Sequence, residues 1–188
     1  MKKYIISLLI VFVWMVMGCE KEIDYPAAPI HFPGDQEYGW STAQKNGLDF
    51  EASGLARQHS MRPNDFFGFI FETYTDWGAK RESFSISEME YTIGTRQVVA
   101  HDEDQENGIP RGFYATLSDD GDVVEDVYEL DERQNNWLEI TAIDTIAGEQ
   151  TIRGKYNLHF KIADAKTNPL NPDHVRFTDG VFEVRFQQ

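Results

Sequence analysis

Between Thr151 and Ile162 the chain alternates without a break. Ile152, Gly154, Tyr156, Leu158, Phe160 and Ile162 share one parity, and Arg153, Lys155, Asn157, His159 and Lys161 share the other. A period of two puts the first set on one face of a β-strand and the second on the opposite face, whereas a helix would scatter both sets around its axis. No stretch of the chain carries a long amphipathic helical pattern, so this segment sets the class of the whole chain: half-buried strands packed on a shared core.

The same pattern recurs in shorter pieces. Phe182, Val184 and Phe186 alternate with Glu183 and Arg185 after the turn signal Asp179-Gly180, and Val175 and Phe177 form a short strand before it. Leu48, Phe50 and Ala52 follow the hairpin signal Asn46-Gly47. Phe66–Tyr74 is dense in aromatic residues and reads as a central strand, with Gly68 marking a bulge. Ser83–Ser87 and Gly112–Leu117 are further strands, the latter followed by the turn Ser118-Asp119-Asp120-Gly121. Val124, Tyr128 and Leu130 share a face on which Asp126 also falls, and Leu138, Ile140 and Ala142 complete the set. The expectation is an all-β domain of about eight or nine strands, an antiparallel β-sandwich or alternatively a partly closed β-barrel.

The first 18 residues have a different purpose. Lys2 and Lys3 precede the apolar run Tyr4–Met17, which is short against the roughly 20 residues that span a bilayer as a helix, so it reads as an export signal. Val16-Met17-Gly18-Cys19 closes it and resembles the lipobox of bacterial lipoproteins. That resemblance implies cleavage between Gly18 and Cys19, with acyl chains carried by the Cys19 sulfur; a stable anchor needs more than one chain. Cys19 is the sole cysteine, so no disulfide forms within the chain. Removing residues 1–18 leaves 170 residues with 15 basic and 32 acidic side chains, a formal charge of −17. Such a charge repels nucleic acid and anionic membrane surfaces. Glu20-Lys21-Glu22-Ile23-Asp24 resembles the export signal that sends Bacteroidota lipoproteins to the outer face of the outer membrane. The periplasmic face is the alternative location.

Pro26, Pro29 and Pro33 break any regular element between Cys19 and Glu37, so residues 19–37 read as an anchor and tether. An arm packed along the domain through Ile23, Tyr25, Ile30 and Phe32 is the other reading. The β domain then occupies residues 38–188. Four segments of it carry a family resemblance: Asn46–Ala52, Leu138–Asp144, Ile152–Leu158 and Val175–Val184. Their order is similar to that in a group of functionally uncharacterised Bacteroidota lipoproteins that fold as small β-sandwiches. The matched residues are structural, so the resemblance implies fold and location and no catalytic site.

Each candidate site in the chain also has a plainer explanation. The acidic run His101-Asp102-Glu103-Asp104-Gln105-Glu106 and the turn Asp119-Asp120-Gly121-Asp122 offer carboxylates to Ca²⁺, but neither matches an EF-hand loop, and turn chemistry accounts for the second. Asp119, Asp120 and Asp122 are the better metal candidates. Asp164, Asn168, Asn171 and Asp173 form a third oxygen-rich loop. His31, His59, His101, His159 and His174 show no zinc-ligand spacing, and there is no Gly-x-Ser-x-Gly elbow and no phosphate-cradling glycine loop. Tyr74 and Trp77 offer an aromatic platform for a ligand, with Trp40 and Trp137 as alternatives; a tryptophan capping the open end of the sandwich is the plainer reading. Asp144-Thr145-Ile146 resembles a short acceptor for O-linked glycosylation, and a turn after a strand explains it equally well.

The sequence thus points to a non-enzymatic, lipid-anchored outer-membrane module that binds or scaffolds, with no cofactor. Its partners are the membrane, through the lipid, and a glycan or envelope protein. A glycan-binding accessory lipoprotein and a secreted hydrolase are the alternatives.

Overall fold

Asn46 and Gly47 have φ of 52° and 81°, the positive values that a two-residue hairpin turn demands. They join β1 (Gly39–Lys45) to β2 (Leu48–Gln58) in unbroken register from Lys45↔Leu48 to Trp40↔Ser53. The computed structural model describes residues 39–58, 65–100, 108–146 and 149–186. Around this first hairpin are β3 (Phe66–Tyr74), β4 (Lys80–Glu90), β5 (Gly94–Gln97), β6 (Val99–Ala100), β7 (Arg111–Leu117), β8 (Val124–Leu130), β9 (Trp137–Ile146), β10 (Glu149–Ile162) and β11 (His174–Phe186).

Neighbouring strands pair antiparallel in the order β11-β1-β2-β3-β4-β7-β8-β10, and β10 pairs back onto β11. The sheet is therefore a closed barrel of eight strands, which leaves no edge on that circuit to recruit another chain. Three strands are additional. β9 and β5 extend from the lower part of β10, and β6 makes a short parallel pair with β7. The all-β, antiparallel expectation holds, in the barrel form.

The β8–β9 junction shows how the circuit is completed. β10 pairs with β8 over Phe160–Ile162 and with β9 over Glu149–Asn157 along the same edge. Where one partner ends and the next begins, the fully buried Asn136 stands in for ladder groups. Its Oδ1 accepts from the His159 N–H at 2.8 Å and its Nδ2 donates to the Asp131 carbonyl at 2.8 Å. Asn136→Ala leaves the His159 N–H unpaired and takes one of two donors from the Asp131 carbonyl, which keeps the Gln134 N–H at 3.0 Å. It is expected to destabilise the barrel by about 2 kcal/mol, read as a lower urea midpoint with an unchanged slope.

The interior is filled by rings. Phe84 stacks on Phe177 at 5.4 Å, Tyr114 lies 5.0 Å from Tyr128, and Phe69 lies 4.9 Å from Phe182. Two glycines make room for them reciprocally: Gly154 pairs with Phe182 and Gly180 with Tyr156 across β10 and β11. A Cβ on Gly180 would meet the Tyr156 ring at 2.5 Å. Outward positions carry charge instead. Arg153 bonds Glu183 at 2.7 Å and Asp144 at 2.6 Å, and Lys161 pairs with Glu129 at 2.7 Å. An apolar inside and a charged outside is the reverse of a membrane-spanning barrel. Among the described residues no helix is long and apolar enough to cross a membrane.

Three expectations need correction. Val175–Phe177 and Phe182–Phe186 belong to one strand, β11, because Asp179 (φ 53°) forms a bulge against both β1 and β10 and does not turn the chain. The irregularity expected at Gly68 is present, but the extra residue is in the partner strand: Phe67 pairs with Met89 and Phe69 with Ile86, and Glu88 there has φ 58°. Asp144-Thr145-Ile146 lies within β9, opposite Thr151, Gln150 and Glu149, and is not a turn.

Candidate functional site

Because β1 starts at Gly39 and the strands run up and down, the barrel has an entry end at Gly39 and a far end. The far end carries the β1–β2, β3–β4, β7–β8 and β10–β11 connections. Several of the exposed large apolar residues lie on this far rim: Leu48, Trp77, Val123, Val124 and Leu170.

The β7–β8 turn holds Asp119, Asp120 and Asp122 apart. Asp120 accepts from the Ser118 hydroxyl and from the Asp122 N–H, at 3.2 Å for the latter. The Ser118 bond chiefly, then the Asp122 N–H, holds its carboxyl below the usual value. Asp119 reaches the other way, to Arg81 at 2.5 Å. The carboxylates thus serve the turn and an ion pair. Among the described residues no group of three or more His, Asp or Glu side chains is placed to hold a metal ion.

Tyr74 and Trp77 occupy different settings. Tyr74 is half-buried at the end of β3 and donates its hydroxyl to Glu72 at 2.5 Å; burial first, then the Glu72 bond and charge, push its pKa up. Trp77 is 55% exposed at the tip of the turn that Thr75 N–H closes onto the Ala79 carbonyl at 2.8 Å. Trp40 and Trp137 are half-buried on the outer faces of β1 and β9.

By parity Asp126 interrupts the apolar face of Val124, Tyr128 and Leu130. In the structure it is 2% exposed and holds the β10–β11 connection over the far mouth. It accepts from the Thr167 N–H at 2.6 Å, from the Asn168 N–H at 3.3 Å and from Asn171 Nδ2 at 2.7 Å; Asn171 also donates to Thr116 Oγ1 at 3.0 Å. The oxygen-rich loop is therefore a cap: Asn168 and Asn171 bind the barrel, and Asp173 pairs with Lys166. Beneath it, Tyr128 donates to the Pro172 carbonyl at 2.9 Å, and burial, then the Asp126 charge, push its pKa up to about 12.

Lys45 and Glu82 form an ion pair just inside the far mouth, with the lysine ammonium 5.5 Å above the Tyr114 ring. The buried Tyr114 hydroxyl lies beside Glu82 outside hydrogen-bonding geometry, and burial, then the Glu82 charge, push its pKa up. Of the histidines, His159 is half-buried beside Asn136, and its pKa is lowered by burial and then by the Arg176 charge; His174 is exposed. Gly18, Cys19, the tether, His31, His59 and the run His101–Glu106 lie outside the described residues. Comparison with protein-family models, with curated proteins and with solved structures finds no match to this chain.

Proposed function

We propose that the chain is a non-enzymatic, lipid-anchored outer-membrane β-barrel that acts as a binding or scaffolding module on the cell surface. The observation that carries this reading is the ring-filled interior. A barrel whose centre is occupied by Phe69, Phe84, Tyr114, Tyr156, Phe177 and Phe182 meets other molecules through its outer faces and its loops. Its polar groups favour the same view, since Asp120, Asp126 and Glu183 are spent on turns, caps and ion pairs. The chain enters at Gly39, opposite the far rim, so acyl chains on Cys19 and the tether 19–37 would hold the entry end towards the membrane. The resemblance to Bacteroidota lipoproteins agrees with this placement.

Cys19→Ala tests the anchor. The variant is expected to move from the membrane pellet to the soluble fraction while keeping a wild-type melting temperature, because the core of the described residues lies wholly beyond Gly39. A folded variant still held in the pellet after a carbonate wash contradicts the assignment.

A further inference from the structure

β5, β9 and β10 place a set of polar and aromatic side chains side by side on the outer face, of which, among the described residues, Asn157 alone is engaged, donating to the Asn135 carbonyl at 3.2 Å. Gln97 lies opposite Trp137, and Trp137 opposite Asn157; in the adjacent row Thr95 lies opposite Glu139, and Glu139 opposite Lys155. Directly opposed residues on one face bring their Cβ atoms within about 5.5 Å of each other. Leu138 and Ile140 are fully buried, which fixes Trp137 and Glu139 on the outward side of β9. Thr95, Gln97, Asn135, Trp137 and Glu139, with Arg96 at the edge, line an open depression.

These groups stand apart from the rest of the surface. Most described lysines and arginines are ion-paired, among them Arg96 with Glu90 and Arg153 with Glu183. Among the described residues Glu139 and Lys155 face each other without an ion pair, and the side chains of Thr95, Gln97 and Asn135 and the indole N–H of Trp137 engage no other group. The patch is locally neutral on a strongly acidic chain. It combines one aromatic face with amide, hydroxyl and carboxylate groups that can each bond a diol. A charged ligand gains little from such a set. A ring with one C–H face and hydroxyls at its edge satisfies both parts: stacking on the indole and hydrogen bonds at the rim.

We propose that the outward face around Trp137 is a binding site for a neutral saccharide, with one sugar ring on the indole and its hydroxyls bonded to Gln97, Asn135 and Glu139. This rests on the reading of the chain as a binding module and gives it a ligand class. It also locates the aromatic platform on the sheet and not at Trp77.

The test is calorimetric titration of the purified full chain in detergent with maltohexaose, mannohexaose and chitohexaose. Wild type is expected to bind at least one of them. Trp137→Ala should weaken that binding tenfold or more and Gln97→Ala several-fold, while Trp77→Ala leaves it unchanged. Gln97 is exposed, so its variant reports on the site even if Trp137→Ala fails to fold. Absence of binding to all three, or binding lost through Trp77→Ala and kept in Gln97→Ala, overturns the proposal. Sugar binding by a chain whose Cys19 is unmodified would defeat the anchor and keep the site; an anchored chain that binds no sugar would do the opposite.

Discussion

Gly154→Ala is expected to unfold the barrel at moderate temperature. The added Cβ would sit 2.5 Å from Phe182 Cζ and closer still to Phe182 Cε1 and the Glu139 carbonyl oxygen. Neither can yield. The oxygen belongs to the ladder that joins β9 to β10, and Phe182 is wedged between Phe69 at 4.9 Å and Phe71 at 6.1 Å. Overpacking of this kind against fixed backbone destabilises by about 3 kcal/mol or more. For a domain of this size that lowers the melting temperature by roughly 6–12 °C, measured by near-ultraviolet circular dichroism. Gly78→Ala is the comparison. Its Cβ meets nothing within 4 Å, so only the left-handed backbone (φ 90°) opposes it, and the expected loss is about 1 kcal/mol. Equal melting temperatures for the two variants would contradict the reciprocal glycine–ring packing.

Asp126→Ala is expected to release the cap over the far mouth. It removes a buried carboxylate that accepts from Thr167, Asn168 and Asn171, and it leaves those donors to find water, a loss of about 3 kcal/mol at neutral pH. Burial alone would raise the pKa of this carboxyl, but the bonds from Asn171, Thr167 and Asn168 and the charge of Lys166 hold it below the usual value. A carboxyl with a depressed folded pKa adds stability above its unfolded pKa, about 3.9, and that contribution fades as the pH falls through the lower folded value. Urea titrations should therefore show wild type ahead of Asp126→Ala at pH 7, with the gap closing below about pH 4. A gap that stays constant down to pH 2.5 would show that Asp126 acts only by filling space.

Much of the barrel is legible in the sequence because burial imposes parity. Ile152–Phe160 reads correctly since each inward residue of β10 meets the core. β1 escapes notice for the converse reason. Its inward residues are Gly39, Ser41 and Ala43, kept small or polar where Tyr156 reaches across to bond the Ser41 hydroxyl at 2.7 Å. Nothing in Gly39–Lys45 alternates in hydrophobicity strongly enough to announce a strand. Asp179-Gly180 misleads because a left-handed residue followed by glycine is the same local signal for a turn and for a bulge. Only the cross-strand partners Val181↔Thr42 and Gly180↔Tyr156 distinguish them.

The sites follow the same logic. Asp119 and Asp120 are adjacent in sequence, yet the turn aims one carboxylate at Arg81 and the other at the Ser118 hydroxyl and the Asp122 N–H. Asp126 and Asn171, 45 residues apart, form the buried contact that holds the cap. The face around Trp137 draws on three strands, so no single segment reveals it. Its one sequence signal is an aromatic residue at outward parity beside Leu138 and Ile140, followed on the same face by Glu139 and Thr141.

The functional reading stands on the acylation of Cys19, and mass spectrometry of the mature N-terminal peptide tests it most directly. The expected result is a chain that begins at Cys19 and carries the mass of two or three acyl chains. A mature chain that begins elsewhere, or a Cys19 with a free thiol, would contradict the account and leave the barrel without its anchor.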